Sequence, residues 1–91
     1  MKLKVLIADD HPVTRAGVRS ILEDDSNIEI VGEAKDGREA VNQVDAKKPE
    51  VVMMDITMPQ LSGIDATKEI IGKYPNMKVI FTNNFLCGVN S

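Results

Sequence analysis

The sequence predicts a doubly wound α/β domain built on a parallel sheet, and three observations predict it. Short apolar runs recur at residues 3–8, 51–54 and 78–82, too continuous for strands with one wet face. Between them lie segments whose apolar residues return at helical spacing. Strand and helix therefore alternate, and right-handed crossovers place helices on both faces of such a sheet.

Leu3, Val5, Leu6, Ile7 and Ala8 form the first buried strand. Pro12 suits the first turn of a helix, where its missing N–H costs nothing, and Val13, Ala16, Ile21 and Leu22 carry that helix to about Glu23. "DDSN" breaks the pattern, and "IEIVGEA" supplies a second strand through Ile28, Ile30 and Val31. "DGREA" opens the next helix, with Asp36 as N-cap and Glu39 as its capping-box partner. Ala40, Val41 and Val44 form the inner stripe, and Pro49 ends the helix by moving the residue before it away from helical angles. "VVMM" is the third strand and terminates in Asp55. After "ITMPQLSG", a third helix is marked by Ile64, Ile70, Ile71 and Tyr74; "YPN" closes it, and "KVIFT" is the fourth strand. Met53, Met54, Met58 and Met77 are read as core filling.

Ninety-one residues, 43% of them hydrophobic, suit one domain with a small core. A net charge of -3 argues against a nucleic-acid surface, which needs clustered Lys and Arg. The single cysteine, Cys87, cannot form an internal disulfide, and this fits a reducing compartment. "MKLKVLIADD" starts basic and turns apolar, but the acids follow at once in place of a cleavage site. No run approaches the roughly 18 apolar residues of a membrane span, so a cytoplasmic protein without membrane contact is expected.

The acids at the strand ends carry the chemistry. In doubly wound sheets ligands bind beyond the carboxyl ends of the strands, where strand order reverses. Asp9 and Asp10 follow the first strand and Asp55 follows the third. If those strands are neighbours, about 4.8 Å apart, the three carboxylates converge and repel unless a cation sits among them. Oxygen donors without a His or Cys cluster favour Mg2+, with Mn2+ as a substitute. Asp10 could instead cap the helix that begins near Pro12. Asp55 has no helix to cap. His11 is a candidate phosphate carrier or metal ligand, but the preferred reading is a loop residue with its side chain on the rim of the pocket. A carboxylate beside a divalent ion can attack a phosphoryl group, and Asp55 is the better nucleophile because the paired Asp9 and Asp10 can hold the metal.

"LIADDHPVTRAGVRSIL", "VGEAKDGREAV", "PEVVMMDITMPQLSGIDA" and "PNMKVIF" resemble the receiver domain of bacterial two-component response regulators, most closely the NarL/FixJ (LuxR-type) group. The resemblance covers Met1 to about Phe81, and its motifs are specific. It implies a flavodoxin-like sheet of order 2-1-3-4, a phosphoacceptor at Asp55, and a metal site of Asp9, Asp10, Asp55 and the backbone carbonyl of Thr57. It also implies a sensor histidine kinase as phosphoryl donor and, in full-length relatives, control of DNA binding and transcription. Beyond slow self-phosphorylation from small donors and autodephosphorylation, no enzyme activity is expected.

The family continues with another helix, a fifth strand bearing a lysine that pairs with the phosphoryl group, and a last helix. Here no Lys or Arg follows Lys78, so the expectation is a receiver over residues 1–82, lacking the fifth strand, the last helix and the catalytic lysine, with an atypical tail at 83–91. The switch residue that contacts the phosphate is either Thr82, the nearest hydroxyl, or Asn83, which the family's spacing selects. Without the last helix, Val13, Ala16 and Ile21 lose their cover and the fourth strand becomes an edge, so a homo-oligomer or an element-exchanged dimer is expected. Direct nucleic-acid binding by this segment is not. A receiver remnant acting as an interaction module without phosphorylation is the alternative. An aspartyl-nucleophile phosphatase would need a second acid where Thr57 stands.

Overall fold

The computed structural model describes residues 2–56, 58 and 60–82. Seven elements follow in order: β1 (Leu3–Ala8), α1 (Pro12–Glu23), β2 (Ile28–Ala34), α2 (Gly37–Lys47), β3 (Val51–Asp55), α3 (Gly63–Lys73) and β4 (Lys78–Thr82). The strands are all parallel and lie in the order β2-β1-β3-β4. That order makes β1 and β3 neighbours, with Ala8 opposite Met54. The crevice anticipated beyond their carboxyl ends is therefore present.

Side-chain alternation along β1 divides the core into two layers. Leu6 and Ala8 join Val52, Met54, Ala40, Val41, Val44, Ala66 and Ile70 in the larger one, beneath α2 and α3. Val5, Ile7 and Val51 face the other way and meet Val18 and Leu22 of α1. Met54 and Met58 are buried, while Met53 and Met77 pack against the two layers, as core filling requires.

α1 shows the uncovered apolar flank expected of it, whereas α3 turns differently from its apolar marks. On α1 the inner residues are Val18 and Leu22, and Val13 and Ile21 are 81% and 72% exposed. On α3 the buried stripe is Gly63, Ala66 and Ile70, whereas Ile64 stands half exposed. The reason is steric: the first turn of α3 lies against the end of β3, which admits only small residues, so Ile64 rotates outward. β4 carries Ile80 and Phe81 half exposed, and among the described residues it forms one edge of the sheet.

The helix ends follow the local chemistry. Asp36 accepts a hydrogen bond from Glu39 N at 2.7 Å, and Glu39 accepts one in return from Lys35 N at 2.8 Å. Lys48 leaves α2 in the left-handed region at φ 49°, which opens the chain towards Pro49. Ser62 caps α3 through Asp65 N.

α2 and α3 are clasped at their carboxyl ends by Asp45, which accepts from Lys73 Nζ at 3.1 Å and from the Tyr74 hydroxyl at 2.9 Å. The Lys73 contact, then that of Tyr74, holds the Asp45 carboxyl below its ordinary value of 3.8, against some desolvation. A carboxyl lowered by folding stabilises the fold above its unfolded value, and that stability is lost as pH falls through the folded one. Asp45→Asn is accordingly expected to narrow the gap between denaturation midpoints at pH 7 and pH 3. An unchanged gap in urea titrations would show that the clasp carries no linkage.

Candidate functional site

The β1–α1 loop is built to present acids. Asp9 N extends the β1–β2 ladder by donating to Ala34 O at 2.9 Å, so the residue stays buried with its backbone held. Its Oδ1 accepts from His11 N at 2.8 Å, a turn that sets up the start of α1. Its carbonyl accepts from Arg15 Nη1 at 2.6 Å, and Arg15 Nε donates to Glu33 Oε1 at 2.8 Å. Arg19 also donates to Glu33 and pairs with Glu23. An arginine–glutamate network thus ties α1 to β2 and to the carbonyl of Asp9.

The N-cap of α1 is His11, and no side chain caps it. Asp10 is therefore not a helix cap; its half-buried carboxylate faces the same pocket as Asp9. Asp55 closes β3, fully buried and in register with Thr82 of β4. The chain beyond it is fastened by Ile56 N donating to Thr82 O and by Gly63 N donating to Ile56 O. A Cβ on Gly63 would lie 2.0 Å from Asp55 O, so the helix start touches the backbone of this acid directly.

The structure brings the sequence-predicted acids together. Asp9, Asp10 and Asp55, joined by His11, each offer a donor atom, and these atoms lie within 4.8 Å of one another. Thr82 sits beside them at the end of β4, part-exposed. Thr57 and Asn83 lie outside the described residues. The donor set suits a hard divalent cation: three carboxylates dominate it, and Asp9 Oδ2 is buried without a hydrogen-bond partner among the described residues. An open groove lined by Pro49, Glu50, Tyr74, Pro75 and Lys78 lies at the other ends of β3 and β4 and has no comparable convergence of donors.

Sequence reading missed one contributor and set another aside. Arg15 was invisible because its partners are a backbone carbonyl and a glutamate on another element. The inward-facing nitrogen of His11 had a signal in its adjacency to Asp9 and Asp10, but only the turn around Asp9 decides its direction. The half-exposed ring does stand at the rim, as expected.

A family model for the response regulator receiver domain matches residues 5–85. The chain is 40% identical over 79 residues to the transcriptional regulatory protein DegU of Brevibacillus brevis, covering 87% of this chain and 34% of that one. The signal receiver domain of the response regulator NarL from Mycobacterium tuberculosis superposes with a TM-score of 0.83 at 31% identity, over 90% of this chain and 66% of that one. A chain of the CheX–CheY–BeF3–Mg2+ complex from Borrelia burgdorferi gives 0.85 at 31% identity, over 89% and 61%. The chain thus spans about a third of the curated regulator's length.

Proposed function

The chain belongs to the response regulator receiver domain family, and from that premise we propose that it accepts a phosphoryl group on Asp55 from the phosphohistidine of a sensor histidine kinase. The observation that carries this is the meeting of Asp9, Asp10 and Asp55, from two separate loops, within 4.8 Å. The receiver reading covers residues 1–82, and the family match runs on to residue 85.

Asp9, Asp10 and Asp55 would hold Mg2+, or Mn2+ in its place, together with the backbone carbonyl of Thr57. The similar Borrelia complex contains Mg2+ and BeF3. When bound, such a cation offsets the negative charge that gathers on a transferring phosphoryl group. The protein's own part is positional. A carboxylate oxygen of Asp55 attacks phosphorus, the O–P bond forms as the P–N bond to the donor imidazole breaks, and the electron pair leaves with that nitrogen. Burial of Asp55 keeps bulk water from the acceptor before transfer. Thr82 or Asn83 meets the added phosphate, and because Thr82 and Ile56 share a backbone hydrogen bond, movement there passes to β4.

In longer relatives such a change would govern DNA binding and transcription; this segment is not proposed to touch nucleic acid, and it would act in the cytoplasm. The exposed Val13, Ala16 and Ile21 flank and the β4 edge fit a homo-oligomer, with or without exchanged elements. Sedimentation that finds only monomer at high concentration would refute that part.

The acceptor role is tested by incubating the chain with Mg2+ and a small acyl phosphate and following intact mass. One phosphoryl adduct is expected, mapped by peptide analysis to Asp55 and absent in EDTA. Asp10→Asn should raise the Mg2+ concentration needed by tenfold or more. An adduct at another residue, or none at all, would overturn the assignment.

A further inference from the structure

His11 brings a nitrogen donor to the carboxylates. Its Nδ1 lies 2.8 Å from Asp10 Oδ1 and 3.5 Å from Asp9 Oδ1. Around a six-coordinate ion with bonds of about 2.1 Å, neighbouring donors stand about 3.0 Å apart and opposite ones about 4.2 Å. The two imidazole distances bracket the neighbouring spacing, and the whole set, within 4.8 Å, would close by about 0.6 Å to reach the opposite spacing. The ring is held in place from its own backbone, since His11 N donates to Asp9 Oδ1 and Pro12 follows in the first turn of α1.

A simple ion pair between His11 and Asp10 accounts for only part of this arrangement. It leaves Asp9 Oδ2, on a side chain 3% exposed, without a hydrogen-bond partner among the described residues. A cation among these donors would engage an imidazole nitrogen together with one oxygen from each carboxylate. Coordination through Nδ1 would leave Nε2 to carry the proton on a ring that is 51% exposed. Imidazole suits Ni2+ and its transition-metal neighbours, whereas Mg2+ prefers oxygen and retained water.

We propose that His11 Nδ1 is a fourth protein donor to the divalent cation held by Asp9, Asp10 and Asp55, making this a mixed nitrogen–oxygen centre that binds transition metals more tightly than its three carboxylates alone would. The inference rests on the carboxylates being cation ligands, and its consequence is metal selectivity. His11 is exposed and its side chain does not cap α1, and circular dichroism of His11→Ala is expected to match the parent.

The test uses the untagged chain with Mn2+, Ni2+ and Mg2+ added separately. Electron spin-echo spectra of the Mn2+-loaded chain should show 14N modulation from imidazole, lost in His11→Ala. The same change should weaken Ni2+ on the order of tenfold in calorimetry and Mg2+ less than twofold. Mn2+ binding without 14N modulation, or equal losses for Ni2+ and Mg2+, would overturn the role of His11 while leaving the carboxylate site standing. Failure of the unaltered chain to bind any of the three ions would overturn both.

Discussion

An Asp55→Asn chain is expected to take up no phosphoryl group and, in EDTA, to melt several degrees above the parent. The first effect is absolute, because an amide offers no anionic oxygen to attack phosphorus. The second comes from charge. Asp55 is fully buried, Asp9 nearly so, and their donor atoms share a space of 4.8 Å with those of Asp10. Two like charges about 4 Å apart repel by about 4 kcal/mol at an effective dielectric of 20. Asparagine keeps the shape and removes one of three charges, so a net gain of about 1–3 kcal/mol is expected after solvation is counted. For a domain of this size that is several degrees of melting temperature. Mg2+ should close or reverse the gap: at a hundred times its dissociation constant it adds about 2.7 kcal/mol to a chain that binds it, and the variant has lost a ligand. Equal melting temperatures in EDTA would mean that the three carboxylates do not share one field.

Gly63→Ala is expected to be among the most damaging small changes in the chain. The added Cβ would lie 2.0 Å from Asp55 O and 2.9 Å from both Asp55 C and Ile56 Cα. All three are backbone atoms at the end of a buried strand, so none can swing aside. α3 would have to withdraw, breaking the Gly63 N to Ile56 O bond and shifting Asp55 with it. A loss of about 3 kcal/mol is expected from overpacking of this kind, and phosphoryl uptake should fall in the fraction that remains folded. Gly17→Ala is the control: nothing lies within 4 Å of its would-be Cβ, and it sits inside α1. There alanine should stabilise by about 0.5–1 kcal/mol. Denaturant titration separates the outcomes, and a Gly63→Ala chain as stable as the parent would contradict the close approach.

The site was legible in the sequence to the extent that it depends on position along a strand. Asp9 and Asp55 were identified because each ends an apolar run, and a run buried on both faces must leave the sheet at its carboxyl end. Asp10 was ambiguous, since a lone acid before a proline-led helix is chemically suited to cap it. The turn closed by Asp9 resolved the matter by placing His11 at the N-cap. Arg15 could not be read at all. Its hydrogen bonds run to Asp9 O and Glu33, and no local pattern encodes a meeting between α1 and β2.

By itself the sequence determined the alternation of strands and helices, the capping box at Asp36 and Glu39, and the family, because each depends on residues close together in the chain. Tertiary structure alone decided which residues of α3 turn inward. Periodicity marks an apolar stripe, but close packing selects among its members, burying Ala66 and Ile70 while leaving Ile64 half exposed. That β1 and β3 lie side by side was implied by the family resemblance, but it follows from no local pattern of residues. That neighbourhood brings acids more than forty positions apart into one pocket, and no local rule of sequence contains it.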